Sequence, residues 1–234
     1  MTTATRNISD GTGANFKPNS QELLEGKAPT QEYFLNEYAR EDWIAPWDIG
    51  KAQPNLVKAE EEGLLKGEIL DVGCGPGDNA IYLASKGYQV TALDLSQHAL
   101  DRAAKRSKEA GTPPDNPHFQ QADLLKPVTK FGERQWDTAL DSALLHCFPP
   151  AQQHQYLKNL HPLVKSGGHV VLFSTSDANP DPWVGPQRQS KADLENLFSE
   201  KAGWKLEEVK PDTYSTPAMG SGVMHIWHAI ILKL

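Results

Sequence analysis

With 234 residues, 38% hydrophobic and 23% charged, the chain can fill the core of one α/β domain and still carry an N-terminal extension. A formal charge of −7 with no basic helix or arginine stripe gives no electrostatic footprint for nucleic acid. The two cysteines, Cys74 and Cys147, make neither a disulfide framework nor a zinc site, and no apolar run approaches a membrane span, so the expected setting is cytoplasmic and the expected state a monomer.

Residues 1–19 are polar, glycine-bearing and without period, the pattern of a mobile arm. Residues 20–62 are expected to form a helical lid. A helix runs from Gln21 into Asp42 with Leu23, Leu24, Tyr33, Phe34 and Tyr38 as its apolar positions. The aperiodic loop Glu41–Pro54 follows, holding Trp43 and Trp47, and then a helix over Asn55–Glu62. Residues 63–234 are expected to make the main domain.

That domain opens with Ile69–Val72, a short apolar run of the kind found in buried parallel strands. The run breaks at Gly73, Gly75 and Gly77, and a helical period resumes at Ala80, Leu83 and Ala84. Strand, glycine turn and helix together let a nucleotide-like ligand lie against bare backbone at a helix N-terminus. Asp78 stands where a dinucleotide fingerprint needs its third glycine, and Asp71 lies two residues ahead of the first. Acids there repel a pyrophosphate and suit a cationic sulfonium with a zwitterionic tail. The stretch resembles the first motif of class I S-adenosylmethionine (SAM) methyltransferases; the plainer alternative is an ordinary glycine turn with solvated acids.

The segments that follow arrive in the order such a domain needs. Gln89–Leu95 is a strand ending at Asp94, 21 residues after Gly73, where an acid grips a ribose diol in NAD and SAM proteins alike. The helix Gln97–Ala110 places Leu100, Ala103, Ala104 and Ser107 on one narrow face. His118–Leu124 reads as a third strand. The resemblance implies that Asp123 and the amide of Leu124 meet an adenine edge, while the residues alone also allow a capping or solvated aspartate. Trp136–Phe148 gives a fourth strand and a loop that, by the resemblance, faces the transferred methyl group. A helix over Ala151–Val164, a turn at Lys165–Gly168 and a fifth strand over His169–Ser174 come next. A long loop over Thr175–Gln189 leads to a capping box at Ser190–Asp193 that starts a helix to Ser199. Strands over Trp204–Val209 and Val223–Leu232 close the domain. The fold implied is a Rossmann-like, doubly wound α/β sheet of seven strands with the last antiparallel, under an N-terminal helical lid.

Pro46–Pro54, Asp141–Phe148 and Gly185–Ser190 are similar to the thiopurine methyltransferase-like group, which includes halide and thiol methyltransferases and enzymes acting on heterocyclic toxins. The resemblance implies SAM as methyl donor, S-adenosylhomocysteine (SAH) as product, no metal and a small-molecule acceptor, with no nucleic-acid or membrane partner. Trp47, Asp71, Gly73, Gly75, Gly77, Asp94, Leu95, Asp123, Leu124 and Asp141 would hold the cofactor; Tyr38, Trp43, Cys147 and Arg188 would meet the acceptor. Transfer would be an SN2 displacement onto O, N or S of a heterocycle or thiol. His146 is the candidate base for a neutral acceptor, with Asp141 and Tyr214 weaker ones. Other readings stay open: His146 as a pocket-lining residue, Cys147 as a buried thiol, the tryptophans as hydrophobic plugs and Arg188 as a surface arginine. Asn36 and Arg40 stand where plant halide enzymes carry tryptophans. The competing functions are a halide or bisulfide methyltransferase, an NAD-dependent oxidoreductase and a non-catalytic SAM-binding protein.

Overall fold

The apolar runs become the strands of one sheet of seven, in the order β3-β2-β1-β4-β5-β7-β6. This is seen in a computed structural model that describes residues 29–180, 185–217 and 221–234. The strands are β1 (Ile69–Val72), β2 (Val90–Asp94), β3 (His118–Gln121), β4 (Trp136–Ser142), β5 (Val164–Thr175), β6 (Trp204–Ser215) and β7 (Val223–Lys233). β7 runs antiparallel to both neighbours, and the other pairs that join β1 to β5 are parallel. The helices are α1 (Gln31–Ala39), α2 (Pro54–Glu61), α3 (Asp78–Ser85), α4 (Gln97–Ala110), α5 (Pro150–Leu160) and α6 (Lys191–Leu197).

Alternation along the strands divides the core into two layers. Val170 and Leu172 of β5 face a cluster with Leu157 and Leu160 of α5 and Leu194 of α6. Val171 and Phe173 face the opposite cluster, with Leu56 of α2 and Leu83 of α3. Ser190 and Asp193 form the expected reciprocal cap at the start of α6, an arrangement that contributes about 1 kcal/mol.

The sequence reading differs from this at identifiable places. The arm and the first part of the Gln21–Asp42 helix fall outside the described residues. Within them the helix begins at Gln31, where the Thr30 hydroxyl caps the Tyr33 amide. On α4 the buried positions are Ala99, Leu100, Ala103 and Ser107, while Ala104 is exposed: the buried stripe is rotated by about one position. Lys165–Gly168 belongs to β5 and is accommodated by a register shift against β4. β6 runs well past Val209 to Ser215, because Lys210 to Ser215 pair with β7 although their side chains are mostly polar.

Candidate active site

The C-terminal ends of β1, β2, β4, β5 and β6 lie along one edge of the sheet, together with the start of β7. Open parallel sheets bind ligands at this edge. Here the glycine turn lies between β1 and α3. Gly75 has φ +52°, and a side chain there would bring its Cβ within 2.9 Å of the Tyr38 hydroxyl. Gly77 has φ +83°, and its Cβ would meet Ala103 of α4 at 2.8 Å and the Phe119 ring at 3.0 Å. Gly77 thus permits the close helix packing that a third glycine provides elsewhere, and Asp78 takes a different role.

Three acids sit under this edge. Asp71 is 1% exposed, and its Oδ2 is buried with no hydrogen-bond partner. Burial first, then the neighbouring Asp94 and Asp141, raise its pKa to about 8. Asp94 accepts the Gly75 amide on Oδ2 and the Ser96 amide on Oδ1, each at 2.8 Å, and so fixes the glycine turn to the end of β2. Burial raises its pKa, with those amides opposing. Asp141 accepts the amides of Leu144 (2.9 Å) and Leu145 (3.2 Å) on Oδ1 and the Tyr156 hydroxyl (2.8 Å) on Oδ2. Its Oδ1 therefore holds the turn after β4 while its Oδ2 ties that turn to α5, and burial raises its pKa to about 6. Further along, Asp123 accepts the Leu125 amide at 3.0 Å and Gln31 Nε2 at 2.9 Å, and faces Lys126. Leu95 is half-buried and Leu124 is a core residue.

The N-terminal segment crosses this edge from one end to the other. Gln31 reaches Asp123 on the β3 side. At the far end the Thr216 hydroxyl donates to Pro46 O at 3.1 Å. Between them Tyr38, Trp43, Trp47 and Phe34 form a cluster of edge-on ring contacts at 4.8–6.1 Å. Two arginines one turn apart on α4 secure the segment. Arg102 donates to the carbonyls of Tyr38, Arg40 and Trp43, and Arg106 forms ion pairs with both Asp48 and Asp78. Asp78, expected to stand as an acid facing the ligand, is instead paired with a cation. Gln53 is the second anchor. Its Nε2 donates to Trp47 O and Ser215 O, its Oε1 accepts the Ser215 amide, and its own amide donates to Asn79 Oδ1. Asn79 continues the chain to Ser142 at 3.0 Å, which lies 3.1 Å from the Tyr214 hydroxyl. None of Arg102, Arg106, Gln53, Asn79 or Ser142 stands out in the sequence as a site residue. The one legible trace is the i, i+4 spacing of the two arginines on a predicted helix.

The turn after β4 carries Ala143, a non-glycine residue at φ +76°, and a short 3-10 helix over Leu145–Cys147. The Thr175 amide donates to His146 Nδ1 at 3.0 Å, and Thr175 Oγ1 lies 2.9 Å from the same nitrogen. Burial lowers the pKa of His146 to about 3. A group so held takes no proton at neutral pH, and this departs from the expectation of a general base. Tyr214 departs likewise, since burial pushes its phenol well up. Cys147 lies near Ala143 O, and desolvation raises its thiol. Arg188 donates to Asn179 O at 2.7 Å, so its side chain serves the loop after β5. The adjoining Gln187 amide donates to His146 O.

Among the described residues, no group of three His, Cys, Asp or Glu side chains could hold a metal ion, and no helix is long and apolar enough to cross a membrane.

Comparison with known proteins gives a consistent picture. A family profile described as a methyltransferase domain matches residues 69–168, from β1 into β5. The 2-heptyl-1-hydroxyquinolin-4(1H)-one methyltransferase of Mycobacteroides abscessus is 30% identical over 71% of this chain and 71% of its own length. Thiocyanate methyltransferase 1 of Brassica oleracea is 26% identical over 75% of each. A solved structure described as concerning conversion of a disulfide bond into a thioacetal group during echinomycin biosynthesis is 31% identical, with a TM-score of 0.75 over 86% of this chain and 92% of that one.

Proposed function

The chain belongs to the methyltransferase family, and from that membership we propose that it transfers the methyl group of SAM to an O, N or S atom of a small molecule. The observation that carries this is the acid-lined glycine turn. The buried, unpartnered Asp71 Oδ2 beside Gly73–Gly77 is a poor neighbour for a pyrophosphate and a good one for a cation. The residues present fit SAM. Asp71 and the glycine turn would take its methionine end, Asp94 and Leu95 its ribose, Asp123 and Leu124 its adenine, with Trp47 above. When bound, it supplies an electrophilic methyl group on a sulfonium.

The chain's residues supply binding, orientation and exclusion of water. The segment 29–53 acts as a lid, and its aromatic cluster keeps water from the reacting atoms. The turn over Ala143–Cys147, with Tyr214, forms the wall facing the acceptor. The activities named for the two relatives, on a hydroxyquinolone and on thiocyanate, support a small acceptor that is either a heterocycle or a compact nucleophile.

Calorimetry tests the cofactor: SAH binding with no binding of NAD is the expected result, and NAD binding in its place would overturn the reading. Methyl transfer from SAM is then measured across hydroxyquinolones, aryl thiols, bisulfide, iodide and thiocyanate. Turnover on rings defines a heterocycle enzyme, and turnover confined to the inorganic anions defines a halide-type enzyme.

A further inference from the structure

His146 is 3% exposed and sits in the turn that leads from the end of β4. Its Nδ1 faces a backbone amide, and a backbone amide can only donate. Nδ1 therefore has to be the unprotonated nitrogen, and the ring's single proton is on Nε2. No described residue takes a hydrogen bond from Nε2, so a buried ring fixed on one side presents an unused donor on the other. Holding the second proton would set an Nδ1–H against the Thr175 N–H. Burial alone, with no charged neighbour contributing, lowers the pKa.

We infer that His146 Nε2–H donates a hydrogen bond to the acceptor atom, and that the acceptor is a weak acid that arrives already ionised. The inference rests on the methyltransferase reading above. Around the turn, the other ionisable side chains are either pushed away from taking a proton or already engaged. Burial pushes up the Tyr214 phenol and the Cys147 thiol, Asp141 is bound by three donors, and Asp71 is assigned to the cofactor's cation. The electron balance suits this. The acceptor's anionic lone pair forms the bond to the methyl carbon as the carbon–sulfur bond breaks, and sulfur keeps that pair. The negative and positive charges cancel and no proton remains to be removed. A neutral imidazole N–H orients such an anion and leaves it nucleophilic. The acceptor's own proton has gone to solvent before binding, which selects N-hydroxy heterocycles, electron-poor phenols and thiols over alcohols and amines.

Nitrogen-15 NMR of the imidazole side chains reads the first half without turnover. In the SAH complex, His146 is expected to show an unprotonated Nδ1 and a protonated Nε2 throughout the range from about pH 5 to pH 8. Addition of 4-nitrothiophenolate should move the Nε2–H signal downfield. An Nδ1–H tautomer, a titration near neutrality or an unmoved signal would overturn the inference. A series of thiophenols of graded acidity reads the second half. The acidic limb of kcat/KM should move with each thiophenol's own pKa, whereas a limb fixed at one pH would reveal an enzymic base. His146→Gln, which keeps a donor, should stay within about tenfold of wild type. His146→Phe should lose about a hundredfold in kcat/KM at unchanged SAH affinity. Equal losses in the two variants would show a merely structural histidine. SAH binding with no methyl transfer to any acceptor would refute the methyltransferase reading, and the NMR result stands apart from that outcome.

Discussion

Asp71 concentrates the conflict between stability and binding. A carboxyl whose folded pKa is about 8, against an ordinary value near 4, makes the folded state bind more protons than the unfolded one. Stability is then highest below the unfolded pKa and declines as the pH rises from about 4 to about 8. Asp141, raised to about 6, adds to the lower part of that decline. Asp71→Asn should flatten the fall in Tm across this interval, as thermal unfolding at several pH values would show. A cation brought next to Asp71 reverses the balance, so SAM binding near pH 7 should release a proton. Calorimetry in buffers of different ionisation enthalpy measures this release, and Asp71→Asn should abolish it while weakening SAM about tenfold or more. Asp71 and Asp94 were legible because their places follow from spacing within a few residues of the glycine turn. The state of His146 was not legible, because its partner amide belongs to Thr175, 29 positions along the chain.

Among the elements, α4 does more than cover the sheet. Its inner face is small, with Ala99, Ala103 and Ser107 lying close on the strands. Its flank carries Arg102 and Arg106, which hold the N-terminal segment in place. The side chains of Arg106, Asp48 and Asp78 are only 16%, 6% and 19% exposed, so their charges are weakly screened. Removing one partner of such a group costs more than an exposed pair is worth. Arg106→Gln should raise KM for SAM about tenfold with a smaller change in kcat, which steady-state kinetics with the acceptor saturating would resolve. Arg106→Lys should recover only part of the loss, since an ammonium cannot bridge two carboxylates as a guanidinium fork does. The limits of α4 itself could be read from the sequence, because Ser96 and Gly111 bracket a clear helical period. The lid's attachment could not, since Arg106 and Asp48 are 58 residues apart. The length of β6 was hidden for a different reason: its second half, Lys210–Ser215, holds Pro211 and mostly polar side chains on an edge strand and leaves no apolar signature.

Across the whole molecule, the N-terminal segment is tied to the loop after β3, to α4 and to the end of β6, so ligand binding beneath it should be felt along its full length. SAH at about 100 times its Kd stabilises a folded protein by about 2.7 kcal/mol. In limited trypsinolysis followed by mass spectrometry, SAH should slow cleavage after Lys51 in the N-terminal segment far more than cleavage after Lys130, which is exposed beyond β3. Equal protection at the two sites would mean that the lid opens only with the rest of the fold. Strand order was legible only through the family resemblance, since nothing local in Val223–Lys233 says that it lies inside the sheet. That placement of β7 bears on the protein's birth. A chain leaving the ribosome exposes β5 well before the strand that must lie beside it, and β6 only a short turn before that strand. Their facing edges stay open until residues 223–233 emerge, and during that interval a chaperone has most to protect.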